Sequence, residues 1–163
     1  MNTLQLNTLL GINIISFNLF KQLNRNSNNG IDALASSINK VYQANNTMYV
    51  EFENGKAIEL HFNGGYIKYR RNGTVASKQS INKEMRLENG HIQLKIEDKT
   101  ILMERFVAIC YDIMNNQMPT SYSELVANVM DGSGSVITAS QLGIPVNYHP
   151  NNIEWCTRPA NGV

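Results

Sequence analysis

The clearest pattern along the chain is the stretch TMYVEFENGKAIELHF (47–62), where β-forming residues alternate on both sides of Asn54-Gly55. Gly tolerates the positive φ of a tight turn, so this stretch predicts a β-hairpin. Just before it, Ile31, Leu34, Ile38, Val41 and Tyr42 recur at helical spacing and predict an amphipathic helix reaching about Ala44. The turn-rich NRNSNNG (24–30) precedes that helix as a loop. Residues 4–23 are apolar but fit neither a period of two nor one of 3.6.

Gly64-Gly65 interrupts the chain and is a candidate boundary between an N-terminal helix and hairpin unit, 1–63, and a second unit, 64–163. The second unit opens with YIKYRRNGTVAS (66–77), a strand–turn–strand around Asn72-Gly73. HIQLKI (91–96) and TILM (100–103) flank a turn at Glu97-Asp98-Lys99. From Met103 onward, Phe106, Val107, Cys110, Ile113 and Met114 form one apolar stripe and predict a core helix that Pro119 closes off. ELVANV (124–129) and NNIEWCT (151–157) read as short strands, with MDGSGS (130–135) a turn. Short strands alternating with isolated helices predict an α+β fold.

Composition narrows the function classes. The 163 residues are 42% hydrophobic and 17% charged, enough for a packed core. Lys+Arg total 14 against Asp+Glu 13, a formal charge of +1, which counts against tight nonspecific binding of duplex DNA. Cys110 and Cys156 form no CxxC pair and imply neither a zinc ribbon nor a disulfide framework, so a reducing, cytoplasmic setting is expected. The apolar N-terminus carries no charge before Lys21. It lacks the basic start of a signal peptide, and Asn2, Asn7, Asn13 and Asn18 interrupt it too often for a membrane span.

Two segments carry a resemblance. VANVMDG (126–132) and NYHPNNIEWCTRPAN (147–161) together resemble the HNH, or ββα-metal, endonucleases of the phage and group I intron type. GHIQLKIEDKTILMERFVAICYDI (90–113) resembles the strand pair and helix preceding that site, and GGYIKYRRNGTVAS (64–77) is similar to the family's N-terminal module. The resemblance implies an HNH-like ββα core with preceding strands and helix, and a Mg²⁺ ion held by Asn or Asp oxygens while a histidine activates water. Carried over by position, the metal ligands fall on Asn128 and Asn161, and the general base falls on Val129. Valine cannot accept a proton, and losing a base typically lowers the rate by about 10²–10⁴. His149 lies close in sequence, in a connector longer than the family's, and is the one candidate to replace it. Thr157 suits a helix N-cap, but only about one turn of helix is expected after it. No catalytic residue is therefore assigned, and no cofactor is expected beyond Mg²⁺ if nuclease activity remains.

Trp155 is expected in the core, and Asp131 before Gly132 as a turn former. His61 and His91 fall in strand-like segments with no local motif around them. Lys68, Arg70, Arg71, Lys78, Lys83 and Arg86, with Tyr66 and Tyr69 among them, form the candidate surface for nucleic acid or a partner. Three functions compete. The chain is a catalytically lapsed HNH-like protein acting by binding DNA or a protein, a protein inhibitor of a host nuclease as anti-CRISPR proteins are, or a weak metal-dependent nickase.

Overall fold

The computed structural model describes residues 11–63, 66–71, 74–79, 89–96 and 98–157, with 66–71 and 74–79 as backbone. The fold is α+β. Strand β1 (Ile14–Ile15) leads into helices α1 (Phe17–Asn24) and α2 (Gly30–Ser36). Five strands then form an antiparallel meander in chain order: β2 (Ile38–Ala44), β3 (Thr47–Phe52), β4 (Lys56–His61), β5 (Tyr66–Arg71) and β6 (Thr74–Gln79). A second hairpin, β7 (Gln93–Ile96) and β8 (Lys99–Leu102), runs directly into helix α3 (Met103–Asn115). Strand β9 (Met118–Pro119) pairs back with β1, so Pro119 sits in a ladder three residues beyond the helix cap. Strand β10 (Leu125–Val129), helix α4 (Val136–Leu142), a 3-10 turn (Pro150–Asn152) and strand β11 (Ile153–Thr157) complete the order.

The hairpin expected around Asn54-Gly55 is β3–β4. Gly55 has φ +88°, and the Asn54 side chain accepts the Lys56 N–H at 3.0 Å. In β3 burial alternates strictly, with Met48, Val50 and Phe52 inward and Thr47, Tyr49 and Glu51 on the open face. The inward residues join Ile58, Leu60 and Phe62 in one core with Phe106, Val107, Ile109 and Cys110 of α3. Helix α3 thus packs its apolar stripe on β2, β10 and β11. Asn116 ends it in the left-handed conformation (φ 56°, ψ 40°) and accepts the Phe17 N–H, which ties the end of α3 to the start of α1.

The helix expected over 31–44 is a correction. The structure has a helix only to Ser36, followed by β2. Between Ile38 and Lys40 the register with β3 slips by one residue, leaving Asn39 as the extra residue of a bulge. The bulge puts Ile38 and Val41, three apart, on the same buried face, and that spacing imitates a helix. Residues 17–24, unreadable by period, are helical because Ser16 caps them and Phe20 is buried. Gly64-Gly65 lie outside the described residues. The strands flanking them, β4 and β5, are neighbours in one sheet, paired from Lys56↔Arg71 to His61↔Tyr66. No helix among the described residues is long and apolar enough to cross a membrane.

Candidate functional site

Strands β10 and β11 pair without a break from Leu125↔Thr157 to Val129↔Ile153. The pleat sends Val129 inward, where it is 5% exposed, and Asn128 outward. Asn128 Nδ2 donates to the carboxylate of its cross-strand partner Glu154 at 3.2 Å. The described oxygen donors here are thus one amide and one carboxylate on an open surface, whereas Mg²⁺ sites usually present one or two carboxylates with shape around them. Among the described residues no group of three or more His, Cys, Asp or Glu side chains converges. Asn161 lies outside the described residues. Asp131 accepts the Ser133 N–H at 2.9 Å and so shapes the turn after β10. That turn packs tightly: a Cβ on Gly134 would fall 2.8 Å from Val129 Cγ2.

His149 is held as a structural cap. Its Nδ1 accepts the Asn151 N–H at 3.1 Å, and its Nε2 lies 3.4 Å from the Gln43 amide nitrogen. Its ring lies edge-on to Phe62, 5.4 Å between centroids.

A different histidine, His91, bridges to Ser135 at the end of the turn that follows Val129. His91 Nδ1 is 2.8 Å from Glu104 Oε1. Glu104, in the first turn of α3, is 2% exposed, and its Oε2 has no partner among the described residues. The His91 ring is about one-third exposed, and its Cε1 lies 3.7 Å from where a Cβ on Gly134 would sit. Burial pushes the Glu104 carboxyl above its usual range, opposed by a backbone hydrogen bond and by His91. Burial, followed by the charge of Glu104, also raises the Tyr148 hydroxyl, which donates to Gly134 O at 3.0 Å. His91 and Glu104 are thirteen residues apart, two positions beyond Gln93↔Leu102, so the β7–β8 hairpin register carries them towards each other.

The raised carboxyl has a stability consequence with a definite sign. A folded pKa above the unfolded one contributes stability below the unfolded value, and that contribution is lost as pH rises through the folded value. Glu104→Gln, which keeps an acceptor for His91, is expected to gain stability relative to the parent as pH rises from 4 to 8. Urea midpoints of both proteins across that range check this. A difference that shrinks with rising pH would mean that the pair is stabilised by its charge.

The open face of the five-stranded sheet holds the third group of residues. Cross-strand register runs Tyr42↔Tyr49, Tyr49↔Glu59, Glu59↔Lys68 and Lys68↔Lys78, one row across all five strands. A neighbouring row runs Lys40↔Glu51, Glu51↔Ala57, Ala57↔Arg70 and Arg70↔Val75. Register therefore brings Lys68, Arg70 and Lys78 to the face that carries Tyr42, Tyr49 and Lys40. Arg71 pairs with Lys56 and Thr74 in the alternate row, while Lys83 and Arg86 lie outside the described residues. The Tyr42 and Tyr49 rings stack, 4.9 Å between centroids and 12° from parallel, with Lys40 Nζ 5.4 Å from the Tyr42 centroid. Beside them Glu59, only 5% exposed, accepts from His61 at 3.4 Å, and His61 also meets Thr47 at 3.2 Å, so the row is covered at β4 between Tyr49 and Lys68. The two tyrosines escape a sequence reading because Tyr42 falls within the false helical period.

No family model, curated protein or solved structure matches the chain.

Proposed function

We propose that the chain is a catalytically lapsed HNH-endonuclease-like protein, of phage or mobile-element type, that acts in the cytoplasm by binding. The observation that carries this reading is Val129. It occupies the position where the resemblance requires a proton acceptor, and it is an inward-facing member of the β10–β11 ladder. His149, the sequence candidate for the missing base, already spends Nδ1 on a backbone N–H. The β10–β11 ladder then serves as scaffold, with Trp155 of β11 packed into the core. The binding function passes to the open sheet face, where Lys68, Arg70 and Lys78 share rows with Tyr42 and Tyr49.

Supercoiled plasmid incubated with the protein and Mg²⁺ or Mn²⁺ is expected to remain supercoiled. A second reading, a weak nickase, draws on the His91–Glu104 pair. A carboxylate that orients an imidazole is an arrangement general bases use, and this one flanks Gly134 as Val129 does. Reproducible nicking abolished by His91→Ala would establish that reading and sink the first. Nicking abolished by His149→Ala instead would return the base to His149.

A further inference from the structure

We infer that the open face of the five-stranded sheet is a stacking platform for single-stranded nucleic acid, centred on Tyr42 and Tyr49; this rests on the binding role proposed above. The duplex alternative needs many phosphate contacts, and a formal charge of +1 supplies little long-range attraction for them. A single strand is held differently: its unpaired bases lie on aromatic rings while a few cations follow the backbone. This face has that composition. Tyr42 is 40% exposed although it sits in the middle of a strand, and it stacks on Tyr49 in nearly parallel planes. Stacked in this way, each ring turns one face to the other tyrosine and leaves its outer face as the surface a base covers.

A hollow of about 300 Å³ opens at this pair, lined by Asn39, Tyr42, Tyr49, Glu51, Gly55 and Ala57 among others. That volume is at the small end of ligand sites. The bulge at Asn39 and the turn at Gly55 bound it at one end. Glu51 gives it a carboxylate acceptor, which matches the exocyclic amine of a cytosine. Lys40 lies beside Tyr42, and the backbone register puts Lys68, Arg70 and Lys78 on the same rows two and three strands from Tyr49. Neighbouring strands lie about 4.8 Å apart, so a chain crossing from β2 to β6 passes from the stacked rings to the basic strands within a few nucleotides.

The test is fluorescence anisotropy of a labelled twelve-residue oligodeoxycytidine with the full-length protein. Arms with the RNA of the same sequence, and with a blunt duplex of the same length, run alongside. The expected result is saturable binding of one or both single strands, stronger than of the duplex, the two single-strand arms identifying the sugar. Tyr42→Ala should weaken it about tenfold or more, as for loss of one stacking ring. Tyr42→Phe, which keeps the ring face, should stay within about twofold of the parent. Lys40→Ala should lower the salt slope by about 0.7, the value for one phosphate on a single strand. Tyr111→Ala, an exposed tyrosine on α3 away from the sheet, is the control and should change nothing. Three results would overturn the platform: no binding tighter than about 10⁻⁴ M, tighter binding of the duplex, or an unchanged affinity in a folded Tyr42→Ala. None of these touches the lapsed-enzyme reading, which fails only if the same preparation nicks plasmid.

Discussion

Trp155→Ala is expected to lower the unfolding free energy by about 3–5 kcal/mol, the range for truncating a large buried aromatic. For a chain of this length that corresponds to a fall in Tm of roughly 10 °C. Trp155 is 3% exposed and its ring sits 5.1 Å from that of Tyr122, which in turn contacts Phe20 at 5.6 Å. This aromatic line runs from α1 to β11 beneath α3, so the substitution should also release amide protection in α3. Differential scanning calorimetry and hydrogen exchange read both effects. An unchanged Tm would put the tryptophan outside the core and remove the scaffold role proposed for the β10–β11 ladder.

Asp112→Ala should be nearly as damaging, for an electrostatic reason. Its carboxylate, 5% exposed on α3, accepts from Tyr122 Oη at 2.7 Å and Trp155 Nε1 at 3.2 Å. Alanine there leaves the indole N–H without its acceptor and the Tyr122 hydroxyl with only the weak acceptor Met118 Sδ at 3.6 Å, at about 1–3 kcal/mol for an unsatisfied donor. Burial and the Asp112 charge both push the Tyr122 hydroxyl well up, so it remains a donor throughout the accessible pH range. The two lesions share one carboxylate oxygen and cannot be independent. In a double-mutant cycle Asp112→Ala with Trp155→Ala should cost at least 0.5 kcal/mol less than the sum of the singles. Additive losses would show that the indole N–H has its bond elsewhere.

How much of this was legible in the sequence depended on whether a feature was local. The β3–β4 hairpin is written in alternation around a turn dipeptide, and α3 in a stripe that Asn116 and not Pro119 terminates. β10 and β11 were readable as strands because Leu125, Val129 and Trp155 face inward from short runs between turns. Helix α4 was not, since Ala139 is its one buried residue and its Ile137 and Leu142 are exposed. The bulge at Asn39 converted a strand into an apparent helix, and with it hid the cross-strand partnership of Tyr42 with Tyr49. Lys68, Arg70 and Lys78 were identifiable as a basic cluster, but only register puts them on the rows of those tyrosines. The His91–Glu104 pair follows from the β7–β8 hairpin register carried two residues past Gln93↔Leu102, and the turn at 97–99 suggested that hairpin without fixing its register.

Backbone amide NMR of the labelled protein tests most directly the proposal that the β10–β11 ladder is scaffold and the sheet face binds. Titration with the oligodeoxycytidine should shift the amides of β2, β3 and β4 around Tyr42, Tyr49 and Glu51, together with those of Lys68 and Arg70. Mg²⁺ at millimolar concentration should leave Asn128 and Glu154 unmoved. Shifts concentrated instead at Asn128, Val129, Glu154 and His91, with the sheet face silent, would contradict it and return the function to the ββα site.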